Sequence, residues 1–460
     1  KSNQVFFMSK KHFFAGTFLL STVGVISRIM GFFYRIFLSQ TIGSRGIGLY
    51  QLVVPLQHMV LAVTSSGIQT ALSRTVASQT ALKKKKEAVD SFCVGTLFAL
   101  GLSLAAMWIF YTFAGWFAGE ILKEPETEAL IRIISFCFPL ASLHSCISSY
   151  YFGRKSAGYP ASTQLIEQTV RVLSSYILVK IFLSRGIAVT ARIAALGALV
   201  AEFAAVLSSL LFLSLHLHAE NYSFFHIKAP LHKLSTITAT AFPLTLNRLL
   251  LSVLAAIEVV LIPQRLRMYG FSRSNALSLY GIFTGMALPC ILFPSTVTNS
   301  AAVMLTPSVA ELQALGAHRR IRYIASRACT ACFLTGAACT GLFYFFGPFA
   351  GELLFHEATA GTCIRTLSFV CPFLYTNIML TSILNGLGKT GATLLHNAAG
   401  SLIRILFVLF AICPARVIIY VLVHHVWPLF PAANREASLH AHGRHLNDRF
   451  PRLGGGVRRD

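Results

Sequence analysis

Charge is scarce in this sequence. Only 12% of its 460 residues are Asp, Glu, Lys or Arg, where a soluble chain carries about a quarter. Acids are scarcer still, with 16 Asp and Glu against 39 Lys and Arg. So little charge cannot cover the surface of a water-soluble globule of this size. No secretory leader of ordinary form is expected, because the first apolar block is too long and runs on into charged helical sequence. The chain opens at Lys1 rather than Met. No phosphate-cradling Gly loop, no paired carboxylates in an outer loop and no Ser/His/Asp order points to catalysis, so no enzyme activity is expected.

What fills the chain is apolar sequence. It is 55% hydrophobic, with a mean hydropathy of +0.66. The apolar residues come in continuous blocks of about twenty or more, the length that crosses a bilayer as a helix. They do not alternate, so the spanning elements are helices rather than barrel strands. An all-α polytopic membrane protein follows. Helices are expected near 13–41, 49–79, 88–117, 129–152, 159–183 and 191–216, then near 235–264, 278–306, 323–348, 361–386 and 391–412.

The net charge of +23 does not imply nucleic acid, because the cations gather in short loops between apolar blocks, as topology signals do. With the N-terminus in the cytoplasm, the inner segments hold Lys1, Lys10, Lys11, Lys83 to Lys86, Arg154, Lys155, Lys228, Lys233, Arg319, Arg320, Arg322 and Lys389. The outer segments hold only Arg45, Lys123, Arg185, Arg265, Arg267 and Arg273. The ten cysteines lie scattered in apolar blocks. Cys329 and Cys332 form one CxxC without a second pair, which reads as buried thiols. His440, His442 and His445 lie in an aberrant tail, and no metal site is expected there.

The chain repeats itself. "IRIISFCFP" (Ile131 to Pro139) returns in the second half as "IRTLSFVCP" (Ile364 to Pro372), and the same ungapped shift pairs Gly153 with Gly386, Gly158 with Gly391 and Arg171 with Arg404. Arg28 and Arg248 correspond near the start of each half. Copies six helices apart share one orientation, which places a cavity between two parallel halves. The expected division is an N-terminal lobe at 1–217, a cytoplasmic linker at 218–234, a C-terminal lobe at 235–413 and an anomalous tail at 414–460. The apolar pattern expected for a twelfth helix near 426–447 does not appear, so the second lobe is expected to be C-terminally incomplete, with a frameshift or truncation near Cys413 as the leading explanation.

Ionisable residues inside apolar helices mark function. Gly24, Arg28, Gly31 and Arg35 are spaced 4, 3 and 4 and form one stripe of the first helix. Arg28, near mid-helix, should line a wet cavity; Arg35, nearer the outer end, either joins it or snorkels. In the fifth helix Gln164, Glu167, Gln168, Arg171 and Ser175 share a polar face. Glu167 and Arg171 stand i, i+4, either as a structural ion pair or as part of a ligand site. The eleventh helix repeats this face with Asn397, Ser401 and Arg404 but without the acid. The seventh helix carries Pro243, which should kink it, with Arg248 and Glu258 on different faces. Glu202, alone in the sixth helix, carries an ion or proton or partners an arginine. The expected substrate-binding set is therefore Arg28, Arg35, Arg248, Gln168 and Arg171, with Glu167, Glu202, Glu258 and Pro243 in gating or ion coupling.

"GTFLLSTVGVISRIMGFFYRIFLSQTIGSRGIGLYQLVVPL" (Gly16 to Leu56), "GIQTALSRTVASQ" (Gly67 to Gln79) and "NGLGKTGATLLHNAAGSLIRI" (Asn385 to Ile405) resemble the stage V sporulation protein B group of polysaccharide transporters. That group lies in the multidrug/oligosaccharidyl-lipid/polysaccharide (MATE-like) exporter superfamily. The resemblance spans roughly residues 10–412. It implies two six-helix lobes around a central cavity and flipping of an undecaprenyl-pyrophosphate-linked sugar or peptidoglycan precursor by alternating access. The setting would be the bacterial plasma membrane, for cell-wall, spore-cortex or polysaccharide synthesis.

Arg28, in "SRIMGF", matches the first-helix motif of the precursor flippase, and Arg35 matches the sporulation group. That flippase also has arginines in its second and eighth helices; here His58 lies near the former position and no arginine stands in the latter. The expected partners are an anionic lipid-linked oligosaccharide and membrane lipids. No cofactor is expected, the protein should be a monomer, and the cycle would draw on membrane potential or a monovalent cation. The alternatives are a cation-coupled multidrug exporter, which would want acids in its cavity, and a membrane glycosyl polymerase or ligase, which would need a large outer loop.

Overall fold

The structure, a computed structural model, describes residues 2–219 and 230–411. The core of the expected linker, the expected gap near 426–447 and the tail lie outside the described residues. Eleven helical rods make up the described residues, with short turns between them. Counting the run through the first two rods as one, eight of the described helices are long and apolar enough to cross a membrane, or nine if a bent pair is one span.

The first two rods form a single run, Ser2–Leu61, broken at Gly43 (φ 69, ψ 174). Only glycine enters that region without a Cβ penalty, so the first helix ends at residue 42 and the second starts at 44. The second passes through a π-turn, Ala62–Ser66, into Gly67–Ala81. The third is Lys85–Thr112. The fourth joins Glu128–Ser135 to Cys137–Gly153 with a bend of 40°. The fifth and sixth are Gly158–Ser184 and Arg192–Ala219.

The seventh helix, Pro230–Met268, runs on through Pro243 and Pro263, so Pro243 does not interrupt it. It begins inside the segment expected to be linker, and the sixth helix extends to Ala219. The eighth helix is the broken one: Arg273–Gly281, a π-turn at Ile282–Ala287, Leu288–Leu292, then a bend and turn at Phe293 and Pro294 before Ser295–Ala314. The ninth is His318–Phe355, the tenth runs 358–386 through a 3-10 turn, and the eleventh is Thr390–Ala411.

The geometry repeats with the same shift as the sequence. Lys123 (φ 55) and His356 (φ 54) make the same left-handed turn. Arg132 lies over Tyr111, and Arg365 lies over Tyr344. Gly153 presses on Ser73 and Val76 as Gly386 presses on Thr306 and Val309. Where the first copy turns left-handed at Lys83 and Lys155, the second uses Gly316 and Gly388.

The two copies also meet each other. The start of the second helix crosses the start of the eighth, and each side of the crossing is a glycine: an added Cβ on Gly48 would sit 2.3 Å from the Leu277 carbonyl oxygen, and one on Gly281 2.0 Å from that of Ser44. Leu277 and Tyr280 pack into the apolar cluster of Leu49, Leu52 and Val53, while Ile47 packs into the cluster of Ala276 and Ile282. Overfilling so close a contact costs about 1–3 kcal/mol. Gly48→Ala is therefore expected to lower the thermal unfolding temperature in detergent. Gly101→Ala, where an added Cβ meets nothing within 4 Å, should leave it unchanged or raise it.

Candidate functional site: an arginine-lined cavity

The stripe on the first helix opens onto space. Arg28, Gly31, Phe32 and Arg35 form one wall of a cavity of about 320 Å³. The opposite wall is the broken part of the eighth helix, with Pro289, Leu292, Phe293, Ser295, Thr296 and Asn299. Two turns separate Arg28 from Arg35, about 10 Å along the axis. Neither guanidinium has a hydrogen-bond or ion-pair partner among the described residues. Phe32 and Phe293 meet across the cavity with ring centroids 4.6 Å apart, joining the two walls. A charge at the middle of a bilayer costs roughly 2.5–3.5 kcal/mol. Two uncompensated cations on one wet wall make a site ready for an anion, because guanidinium groups grip phosphate oxygens in pairs.

Gln168 belongs beside this wall: its Nε2 would lie 3.5 Å from a Cβ added to Gly31. Other residues expected at the substrate lie elsewhere. Arg171 is bonded to Glu167 one turn away, so its charge is already balanced. Arg248 faces the second helix, donating to the Ser66 carbonyl oxygen at 2.7 Å and to Thr70 Oγ1 at 3.1 Å. It therefore ties the seventh helix to the end of the π-turn and is not in the lining of the cavity at Arg28. The reason is register: the shift from Arg28 to Arg248 is shorter than the one from Arg171 to Arg404, on which the two copies superpose.

Two of the acids expected to couple ions, Glu167 and Glu258, are paired with arginines. Glu202 lies 4.0 Å from His144 Nδ1 rather than in an arginine ion pair. Glu258 and Arg404 face each other through both carboxylate oxygens, Nε to Oε1 at 3.1 Å and to Oε2 at 3.0 Å, with Ser401 Oγ accepting from Arg404 as well. The acid absent from the eleventh-helix face thus comes from the seventh. Among the described residues no His, Cys, Asp and Glu cluster could hold a metal ion, and all the described cysteines are free.

The end of the molecule where the second and eighth helices begin is clamped by an acid absent from the expected set. Glu124 is 3% exposed and bonds Arg273 Nε at 2.6 Å, with Arg267 at 3.5 Å. Arg45 pairs with Glu126 beside it. The sequence showed only an acidic loop; the partner Arg273 lies 149 positions away. Removing a buried partner of charged groups costs about 1–3 kcal/mol. Glu124→Gln is expected to speed amide exchange across Arg273–Gly281 by roughly tenfold or more, read by hydrogen-exchange mass spectrometry.

The family model described as "Polysaccharide biosynthesis protein" matches residues 13–313. The chain belongs to this family. Stage V sporulation protein B of Bacillus subtilis (strain 168) is 25% identical over 410 residues, covering 87% of this chain and 78% of that protein. Lipid II flippase MurJ of the same organism is 25% identical over 200 residues, 41% of this chain and 37% of that protein. Among solved structures, an inward-facing multidrug resistance MATE family transporter of the MOP superfamily superposes with a TM-score of 0.66. The match covers 92% of this chain and 99% of that one at 14% identity. The fold is thus that of the MATE-like transporters, and the chain is a multi-pass membrane protein of the polysaccharide biosynthesis family.

Proposed function

We propose that this family member is a flippase that carries an undecaprenyl-pyrophosphate-linked oligosaccharide or peptidoglycan precursor across the bacterial plasma membrane. The observation that carries this reading is the pair of arginines, Arg28 and Arg35, without a partner among the described residues, on one wall of a single cavity. A diphosphate brings several fixed negative charges to such a wall, and its isoprenoid tail stays in the lipid. The relatives support the same reading: one is named a lipid II flippase, another a stage V sporulation protein. A cell-wall or spore-cortex role fits both names.

In this reading the two repeated halves are two lobes, and the cavity between the first and eighth helices is reached alternately from each side. The Glu124 clamp and the Gly48–Gly281 crossing close the outer end, with the N-terminus in the cytoplasm. The protein works as a monomer and as a transporter rather than an enzyme. Membrane potential or a monovalent cation drives the cycle.

The test is translocation in proteoliposomes of the full chain. A fluorescent undecaprenyl-pyrophosphate sugar should cross at a rate above protein-free vesicles, and a lipophilic cationic dye should not. Export of the dye with no movement of the lipid would overturn the proposal in favour of a drug exporter.

A further inference from the structure

A second cavity, of about 340 Å³, adjoins the first. Asn299 lines both. The rest of its polar lining is Thr306 from the eighth helix and Asn377, Thr381, Ser382 and Asn385 from the tenth. Asn377, Thr381 and Asn385 recur every fourth residue and so face one way. No ionisable side chain lines this space.

Two groups of polar residues can be told apart here. Thr306 and Ser382 bond each other at 2.7 Å, and Asn385 accepts from Thr393; these hold helices together. Asn377 and Thr381 make no hydrogen bond to any described residue. The Asn299 amide nitrogen donates to the Ser295 carbonyl oxygen at 3.0 Å, which leaves its Oδ1 for a ligand. These polar groups face the cavity without a partner among the described residues, so they are available to a ligand. Its chemistry follows from the lining. A cation would want a carboxylate and an anion would want an arginine or lysine. An amide and a hydroxyl together offer both donors and acceptors without charge, which suits the hydroxyl and acetamido groups of a sugar.

We infer that this second cavity holds the neutral glycan, through Asn377, Thr381 and Asn299, while Arg28 and Arg35 hold the diphosphate. The inference rests on the lipid-diphosphate reading above and adds where the sugar lies. It divides recognition between the halves: charge from the first helix, hydrogen bonding from the tenth.

The test is equilibrium binding to the purified full chain in detergent, with two fluorescent probes. One is undecaprenyl pyrophosphate, the other the same lipid bearing a single N-acetylhexosamine. Wild type should bind the glycosylated probe more tightly, by about tenfold, the worth of two ordinary hydrogen bonds. Asn377→Leu with Thr381→Val should erase that preference and leave affinity for the bare lipid unchanged. Asn377→Ser alone, which leaves a small hydrogen-bonding group there and Thr381 intact, should retain part of it. Arg28→Ala should weaken both probes alike.

Equal weakening of both probes by the Asn377 and Thr381 pair, a sugar preference that survives it, or no preference in wild type would each overturn the glycan assignment alone. Failure of wild type to bind either probe would overturn the diphosphate reading and this assignment with it. Thermal unfolding of the pair variant should match wild type, since neither side chain holds the fold together.

Discussion

Arg28→Ala is expected to abolish translocation of the lipid-linked sugar, with at least about a hundredfold loss, while the protein stays folded. Hydrogen bonds to charged groups contribute about 1.5–3 kcal/mol each, and a guanidinium gripping a diphosphate makes two. Losing both is worth roughly 3–6 kcal/mol of binding, more than a hundredfold. The fold should not suffer, because Arg28 has no partner to strand among the described residues. Removing an unpaired charge from an apolar helix should stabilise the protein slightly, if it moves stability at all. Arg35→Ala should act in the same direction, and Arg28→Lys should restore only part of the activity, since an ammonium binds phosphate as a point charge. The measurement is the transport assay together with thermal unfolding. Retained transport in Arg28→Ala would remove the arginine wall from the mechanism. Lost transport with lost stability would mean that the wall is structural.

Much of the site was legible in the sequence, and the limits of that legibility are physical. The stripe of Arg28 and Arg35 is a local matter. Helix geometry alone puts positions seven apart on one face, and the cost of charge in lipid makes them stand out. Glu167 and Arg171 were legible as a pair for the same reason. The facing wall was not. Ser295, Thr296 and Asn299 look like ordinary polar residues within a helix, and only the packing of the eighth helix against the first gives them a role. A sequence reader searching the eighth helix for a third arginine would pass over them.

The long-range ion pairs were hidden in a different way. Glu124 and Arg273 stand 149 apart, Glu258 and Arg404 146 apart, with nothing local linking them. The repeat misled at one point as well. Its shift holds from the second helix onward but not through the first, so matching Arg28 to Arg248 joined two residues that the packing separates. The helices themselves were the easiest part. A block of apolar residues long enough to cross lipid has one way to satisfy its backbone, and the rods follow the blocks to within a few residues, apart from an earlier start on the first and longer ends on the seventh to ninth.

Glu258 and Arg404 allow a sharper test of what a paired charge in an apolar helix is for. Their side chains are 12% and 14% exposed, and they meet through both carboxylate oxygens. Breaking a buried pair from one side strands the other charge, which costs about 3–5 kcal/mol. Glu258→Leu and Arg404→Leu should each lower the unfolding temperature sharply. Replacing both partners with methionine removes the stranded charge, and such swaps are often neutral or stabilising. The double variant should therefore recover most of the lost stability.

Transport in that double variant then separates two roles. If Glu258 only holds the seventh helix against the eleventh, the methionine pair should flip lipid at near the wild-type rate. If Glu258 carries the driving ion, releasing Arg404 as part of each cycle, the variant should be stable and inactive. The closed geometry favours the first outcome, because both carboxylate oxygens are already engaged by one guanidinium. A stable and silent double variant would move Glu258 from the scaffold into the transport cycle.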